Sequence, residues 1–103
     1  MSKQIRISPK AHEDISKIFE YIKKDGEQIA KSQVDNIYNS LENLAEFPNM
    51  GVPLQKFVDR KTDYKILIIK KVYIAVYNNG DYVDILRVFR KGQDFINALV
   101  IDE

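Results

Sequence analysis

The chain has 103 residues, which fits one domain over residues 1–103 with a single core that needs no cross-links. Apolar residues make up 45% of the chain and charged residues 30%, and the net charge of +1 is ordinary for a globular protein. The absence of cysteine excludes disulfides and thiolate nucleophiles, and no apolar run approaches the roughly 20 residues that span a bilayer.

The first half of the chain predicts a short strand followed by two helices. Residues 4–8 alternate apolar and polar side chains, and Ser8-Pro9 is typical of a helix start, with serine as the N-cap. Asp25-Gly26 ends the first helix, a second begins at residues 27–29, and Pro48 ends it. Each helix has one apolar stripe, formed by Ala11, Ile15, Ile18, Phe19 and Ile22 in the first and by Ala30, Val34, Ile37, Leu41 and Leu44 in the second.

The second half predicts three consecutive strands, over residues 64–69, 72–77 and 82–89. The pair Lys70-Lys71 between the first two strands has the length of a tight turn. The segment Asn78-Asn79-Gly80-Asp81 is a stronger hairpin pattern, because asparagine and glycine favour the positive φ angles of such turns. Asp94 can cap a short last helix that runs through Val100.

This order of elements predicts an α+β fold, β-α-α-β-β-β with a short C-terminal helix. The N-terminal strand and the helical hairpin then pack on a small antiparallel sheet, whose opposite face is solvated or used for function. We expect the helix residues Ile15, Ile18, Ile22, Val34, Ile37 and Leu41 to face sheet residues Ile66 or Leu67, Val76, and Leu86 or Val88.

Positive charge is concentrated in the second half of the chain. From Lys56 to Lys91 there are nine basic and four acidic residues, whereas residues 1–53 carry seven basic and eight acidic ones. Such asymmetry is typical of a surface that binds an anionic partner. Alternatively, several of these lysines are solvated hairpin residues that discourage aggregation of strand edges.

Most catalytic constellations lack the residues they need. The only histidine, His12, lies among charged residues in the first helical turn, and we interpret it as a surface residue. Ser-His-Asp, Cys-His and histidine-rich metal sites are excluded, and the four glycines form no phosphate-binding loop. Glu13 and Asp14 are neighbours in a helix and point about 100° apart, which is a poor geometry for an acid–base pair. We therefore expect no metal and no cofactor.

Basic and aromatic side chains are the remaining functional candidates. Arg87, Arg90 and Lys91 gather at the end of the third meander strand, and three cations so close together favour a nearby anion. Lysine and arginine bind phosphates, and exposed tyrosines stack on bases, so the candidate nucleic-acid contacts are Arg60, Lys61, Lys70, Lys71 and Tyr73. Alternatively, Tyr73 and Tyr77 are partly buried in the sheet.

The order of elements resembles that of RelE/ParE toxins over nearly the whole chain. The helix start Ser8-Pro9-Lys10-Ala11 is similar to that of the family, as is the strand VYIAVY over residues 72–77 with the Asn-Gly that follows it. The stretch DILRVFRKGQD over residues 84–94 is similar to the family's strand end, ILRV-x-H-G-R-x-D. The resemblance implies the toxin of a type II toxin–antitoxin pair, a cytoplasmic protein without membrane contact that a cognate antitoxin wraps in a hetero-oligomer.

The resemblance implies one of two activities. RelE-like members cut mRNA in the ribosomal A site, and ParE-like members poison DNA gyrase. Cleavage needs a base, an acid and cations for the phosphorane, and the catalytic candidates are Lys65, Arg87, Arg90 and Lys91. Two further basic positions of the family are Leu67 and Ile74 here, and its tyrosine position falls near Asn97.

Three functions therefore remain open at this point. The basic cluster favours a ribosome-dependent mRNA endoribonuclease, with the ribosome and mRNA as partners. Ile74 in place of an arginine favours a non-catalytic inhibitor of DNA gyrase. A non-toxic family member would retain only the binding of its antitoxin.

Overall fold

A computed structural model describes residues 2–59 and 61–92 and confirms the α+β architecture. Its helices are α1 (Pro9–Ile22) and α2 (Glu27–Asn43), and 3-10 turns lie at Lys23–Asp25 and Leu54–Lys56. Its strands are β1 (Ile5–Ile7), β2 (Val52–Pro53), β3 (Lys65–Ile69), β4 (Tyr73–Asn79) and β5 (Val83–Arg90). Strand β2 is additional to the strands that the sequence predicts. The helix predicted over residues 94–100 lies outside the described residues.

The helical hairpin begins and turns where the sequence predicts. The Ser8 hydroxyl accepts a hydrogen bond from the Ala11 N–H at 3.0 Å, and Pro9 occupies the first helical position, where a missing N–H costs nothing. Gly26 joins the two helices with a φ of 135°, a conformation that residues with a Cβ rarely adopt. The two helices then pack against each other and lay their apolar stripes on the sheet.

The five strands form one sheet in the order β1-β5-β4-β3-β2. Strands β3, β4 and β5 form the predicted antiparallel meander, whereas β1 runs parallel to β5, with residues 5–7 opposite residues 83–85. Across this pair, Arg6 binds Asp84 at 2.6 Å and lowers the pKa of that carboxyl, because the hydrogen bond favours the carboxylate. The sheet is therefore mixed rather than purely antiparallel, since a three-residue strand carries no pattern that selects the direction of its partner.

The sheet has an apolar layer on each face. The predicted core residues on the helix side are buried in one cluster, as expected for Ile15, Ile18, Ile37, Leu41, Leu67 and Val88. The opposite face buries Ile66, Val76 and Phe89 under Leu54 of the second 3-10 turn. The placement of Val76 on the helix side was wrong, because β4 is apolar at every position from Tyr73 to Tyr77 and alternation cannot select a face there.

Tyr77 anchors the loop that connects α2 to β2. Its hydroxyl donates to the Pro48 carbonyl at 2.8 Å and accepts from the Gly51 N–H at 3.0 Å. Burial raises the pKa of this hydroxyl, which keeps the proton that it donates. A Cβ at Gly51 would lie 2.5 Å from the Ile66 carbonyl oxygen, so a larger residue would displace the loop. The alternative interpretation of Tyr77 as a buried sheet residue is therefore the one that the structure supports.

The first turn of the meander is the predicted tight turn, whereas the second lacks the geometry expected for it. Lys70 and Lys71 form the two-residue turn between β3 and β4, with φ angles of 52° and 63°. This left-handed conformation costs roughly 1–2 kcal/mol for each residue that has a Cβ. Within the described segment 78–81 no residue has a positive φ, so the geometry expected there was wrong. Asn79 instead extends β4, and its side chain accepts from the Lys3 ammonium and donates to Asn49.

The packing of α2 on the sheet yields a stability prediction. Leu41→Ala should lower the free energy of unfolding by about 2–5 kcal/mol, because the Leu41 side chain is 0% exposed and its loss leaves a cavity. Ile29→Ala on the same helix is the control, since Ile29 is 51% exposed and the change should stay within about 0.5 kcal/mol. Urea unfolding of both variants makes the measurement, and equal effects would contradict the packing of α2.

Candidate functional site

A buried acid of α1, Asp14, joins that helix to strand β5. Asp14 is 8% exposed and lies among the apolar residues of the helix stripe. Its Oδ2 accepts from Arg87 Nε at 2.7 Å and from the Val88 N–H at 3.0 Å, and its Oδ1 accepts from Arg87 Nη2 at 3.1 Å. One carboxylate therefore satisfies three donors, and the negative charge has a hydrogen-bonded counterion.

These contacts lie where the outer strand of the sheet stops. Strand β1 ends at Ile7, opposite Ile85, so beyond Ile85 the described residues provide no strand neighbour on that side of β5. The Ser8 N–H donates to the Ile85 carbonyl at 3.0 Å, and the Ser8 hydroxyl donates to the Leu86 carbonyl at 2.9 Å. Asp14 then binds the Val88 N–H. Beyond the end of β1, residues of α1 and its N-cap therefore take over as hydrogen-bond partners of the β5 backbone, because buried backbone groups need partners.

The ion pair with Asp14 determines where Arg87 points. The Arg87 side chain is 13% exposed, and the carbon of its guanidinium lies 4.7 Å from the centre of the Phe89 ring. A bidentate pair between guanidinium and carboxylate has a fixed geometry. Arg87, one of the cations predicted to bind phosphate in a catalytic group, thus pairs with Asp14 and stacks on Phe89.

Three of the predicted cations gather at one end of the sheet. The Lys91 N–H donates to the Val72 carbonyl, which brings the end of β5 beside the turn of Lys70 and Lys71. All three lysines are exposed. No aspartate or glutamate occurs in residues 64–80 or 85–92, so this end of the sheet is uniformly basic in sequence. Such a surface attracts anionic groups of a partner.

Arg90 and Tyr73 lie opposite each other on β5 and β4. The Arg90 guanidinium stacks on the Tyr21 ring of α1, with 3.8 Å to the ring centre. Tyr73 is 3% exposed, and its hydroxyl donates to Gln33 at 3.2 Å. Burial raises the pKa of the Tyr73 hydroxyl, against a smaller opposite effect of the charge on Arg90. A buried ring offers no face to a base, so the expectation of an exposed, base-stacking Tyr73 was wrong.

Lys65 lies apart from Arg90 along the sheet. It pairs with Tyr77, whereas Arg90 pairs with Tyr73, four positions away along β4. Four strand residues correspond to about 13 Å. The structure therefore brings Lys91 and the Lys70-Lys71 turn together, while Lys65 and Arg87 lie elsewhere.

The remaining described positions of the predicted site are two apolar residues and one exposed lysine. Leu67 is buried under the helices, and Ile74 packs half-buried on the opposite face of the sheet. Lys61 is exposed in the segment before β3, and Arg60 and Asn97 lie outside the described residues. Residues 2–59 and 61–92 contain no group of three His, Cys, Asp or Glu side chains that could hold a metal ion. No helix in the same ranges has the length and apolar character needed to cross a membrane.

Sequence comparison connects this architecture to a known family. The family model of the ParE toxin of the type II toxin-antitoxin system parDE matches residues 5–95. The chain belongs to the ParE toxin family. No curated protein matches the sequence.

Two solved structures share the fold of this ParE-family toxin. The chromosomal ParDE toxin–antitoxin system of P. aeruginosa has a chain with a TM-score of 0.72 and 21% identity, covering 86% of this chain and 96% of that one. The RelBE2 toxin–antitoxin complex of Mycobacterium tuberculosis has a chain with a TM-score of 0.59 and 20% identity, covering 88% of this chain and 100% of that one. Identities this low establish a shared fold, which agrees with the resemblance drawn from the sequence motifs.

Sequence reasoning missed Asp14 in this ParE-family chain, because the residue was considered only as an acid–base partner of Glu13. A signal was present in the spacing. Asp14 lies three residues after Ala11 and four before Ile18, so it falls on the buried stripe of α1. A carboxylate on a buried stripe needs a cationic or hydrogen-bonding partner, and Arg87 is the cation within the third predicted strand.

The ion pair of Asp14 yields a second stability prediction for this ParE-family toxin. Asp14→Ala should lower the free energy of unfolding by about 3–5 kcal/mol, because it removes the carboxylate that pairs with the largely buried Arg87 guanidinium and accepts from the Val88 N–H. Glu13→Ala is the matched control, since Glu13 is exposed and forms an i,i+4 pair with Lys17 at the surface. That control should leave the stability nearly unchanged, because solvent screens an exposed ion pair. Denaturant unfolding compares the two, and an Asp14 variant as stable as the Glu13 variant would refute the structural role.

Proposed function

We propose that this ParE-family toxin acts by binding DNA gyrase rather than by cleaving mRNA. The observation that carries the proposal is the ion pair between Arg87 and Asp14, because it uses a predicted catalytic cation to hold α1 on the sheet. Cleavage of RNA needs a base, an acid and cations around one phosphate. Lys65 lies about 13 Å along the strand direction from Arg90. Lys65 and Arg90 therefore do not meet around one phosphate, which supports binding over catalysis.

The two apolar substitutions in the expected cationic set support the same proposal. Leu67 belongs to the core beneath the helices, and Ile74 packs beside the buried cluster of the other face. The resemblance to RelE-like nucleases implies basic residues at both positions. Because both side chains contribute to packing, neither leaves a gap that a substrate phosphate would fill.

A cognate antitoxin is the regulatory partner in this proposal, and the two form a hetero-oligomer. Both structural neighbours come from toxin–antitoxin systems. A groove between α1 and α2, lined by Ile15, Phe19, Val34 and Tyr38, suits the apolar side of an added helix.

A ribosome-dependent mRNA endoribonuclease is the second candidate. The exposed lysines at positions 70, 71 and 91 favour it, because ammonium groups bind RNA phosphates. Both candidate targets are cytoplasmic, and we propose the cytoplasm as the compartment in which the toxin acts.

A target assay separates the two candidates. The purified protein should inhibit DNA supercoiling by gyrase, and induction in cells should cause DNA breaks while mRNA stays intact. The control is the complex of the toxin with its antitoxin at equal concentration, which should leave gyrase active. Cleavage of ribosome-bound mRNA with normal supercoiling would overturn the proposal in favour of the nuclease. Failure of both assays would identify a non-toxic family member.

A further inference from the structure

The turn between β3 and β4 has a conformation that its residues are poorly suited to adopt. Lys70 and Lys71 both have left-handed backbones, with φ angles of 52° and 63°. A two-residue hairpin requires this geometry, and Asn-Gly is the pair that adopts it at the least cost. Lysine at both positions therefore makes the turn less stable than a common alternative would. Backbone strain of this kind is concentrated at functional sites.

Contacts within the described chain do not explain the two lysines. Both side chains are exposed, and neither ammonium group has a hydrogen-bond or ion-pair partner among residues 2–59 and 61–92. Removing either charge would break no interaction in that part of the fold. Solvated lysines at a strand edge discourage aggregation, but the left-handed backbone of both residues points in addition to a contact with another molecule.

The surroundings of the turn indicate the chemistry of that molecule. Lys91 lies beside the turn, because its N–H donates to the Val72 carbonyl. Two exposed apolar side chains flank the three lysines: Ile68 is 61% exposed and Val72 is 46% exposed. We define the lysine turn as Ile68, Lys70, Lys71, Val72 and Lys91. It combines three ammonium groups with aliphatic surface that water covers in the isolated chain.

We infer that the lysine turn is the docking surface for an acidic protein surface on the target of the toxin. Carboxylates would pair with the ammonium groups, and apolar side chains of the target would cover Ile68 and Val72. The surroundings of the turn favour a protein over a nucleic acid, because Tyr73, next to the turn, is buried, and the Arg90 guanidinium covers a face of the Tyr21 ring.

The target is favoured over the antitoxin because of where the two surfaces lie. The groove proposed for the antitoxin is on the helices, whereas Ile68 pairs with Ile74 on the opposite face of the sheet. The inference rests on the proposed function, since it assigns the surface through which the toxin would bind gyrase.

The test replaces the turn by its unstrained equivalent in the full-length chain. Lys70→Asn with Lys71→Gly should raise the unfolding midpoint by about 4–8 °C, because it relieves the left-handed strain. The same variant should need at least about tenfold more protein for half-inhibition of gyrase, which corresponds to the loss of two charge-assisted contacts. Higher stability with lower activity separates a binding role from a structural one, since a merely damaged protein would lose both.

Two matched controls keep the result interpretable. Lys70→Arg with Lys71→Arg keeps both charges in the strained turn and should inhibit gyrase within about twofold of the natural chain. Lys10→Gln with Lys31→Gln removes two exposed charges from the helices and should also stay within about twofold. A third variant, Ile68→Gln, tests the apolar part and should weaken inhibition without lowering stability.

Each outcome either supports the lysine turn as the docking surface or overturns that role. A stabilised Asn-Gly variant that inhibits gyrase fully would overturn the lysine turn as a docking surface and leave the proposed function standing. If the Asn-Gly variant still inhibits gyrase but the antitoxin no longer neutralises it, the lysine turn binds the antitoxin and the inference is overturned. If the natural chain does not inhibit gyrase, the proposed function fails. In that case the Asn-Gly variant is compared with the natural chain for ribosome binding. Weaker binding, with a log–log salt slope flattened by about 0.7 per lost phosphate contact, would reassign the turn to RNA. Unchanged growth arrest in that case would remove the turn from the mechanism.

Discussion

The carboxylate of Asp14 is the contact on which the arrangement of this toxin depends. It lies on the buried stripe of α1, and it reaches the backbone of β5 at Val88, just beyond the point where β1 stops. Three donors converge on it, two from Arg87 and one from the backbone. Without this carboxylate, α1 would cover the edge of the sheet and leave polar backbone groups of β5 without partners. The ion pair therefore secures the register between the helical layer and the sheet, and Ser8 assists it at the start of the helix.

A consequence of this contact is a division of the positive charge in the second half of the chain. Arg87 points inward to Asp14, and Arg90 stacks on Tyr21 of α1, so both arginines join the sheet to the helix. Lys70, Lys71 and Lys91 point outward at the end of the meander. The inward cations serve the fold, whereas the outward ones are available for a partner. The proposal of a binding toxin and the proposal of the lysine turn both follow from this division.

The sequence predicted the elements better than it predicted the site, for physical reasons. The cap at Ser8, the break at Gly26 and the stripes of both helices depend on neighbouring residues, so local pattern was sufficient. The face of Val76, the parallel pairing of β1 and the partner of Arg87 depend on residues far away in the chain. The left-handed turn at Lys70 and Lys71 could not be predicted, because lysine has no preference for that conformation. The gathering of the lysines was implicit in the hairpin register, which places the end of β5 beside the turn between β3 and β4.

Hydrogen exchange at the Val88 amide tests the central role of Asp14 most directly. In the natural chain this amide should exchange as slowly as the paired amides of β4, although the described residues provide no strand beside it. In Asp14→Ala it should exchange faster by a larger factor than the amides of β4 do, because it loses its own acceptor in addition to sharing the general loss of stability. Exchange of Val88 in the natural chain at the rate of a solvated edge amide, or an equal acceleration of Val88 and the β4 amides in the variant, would contradict the account.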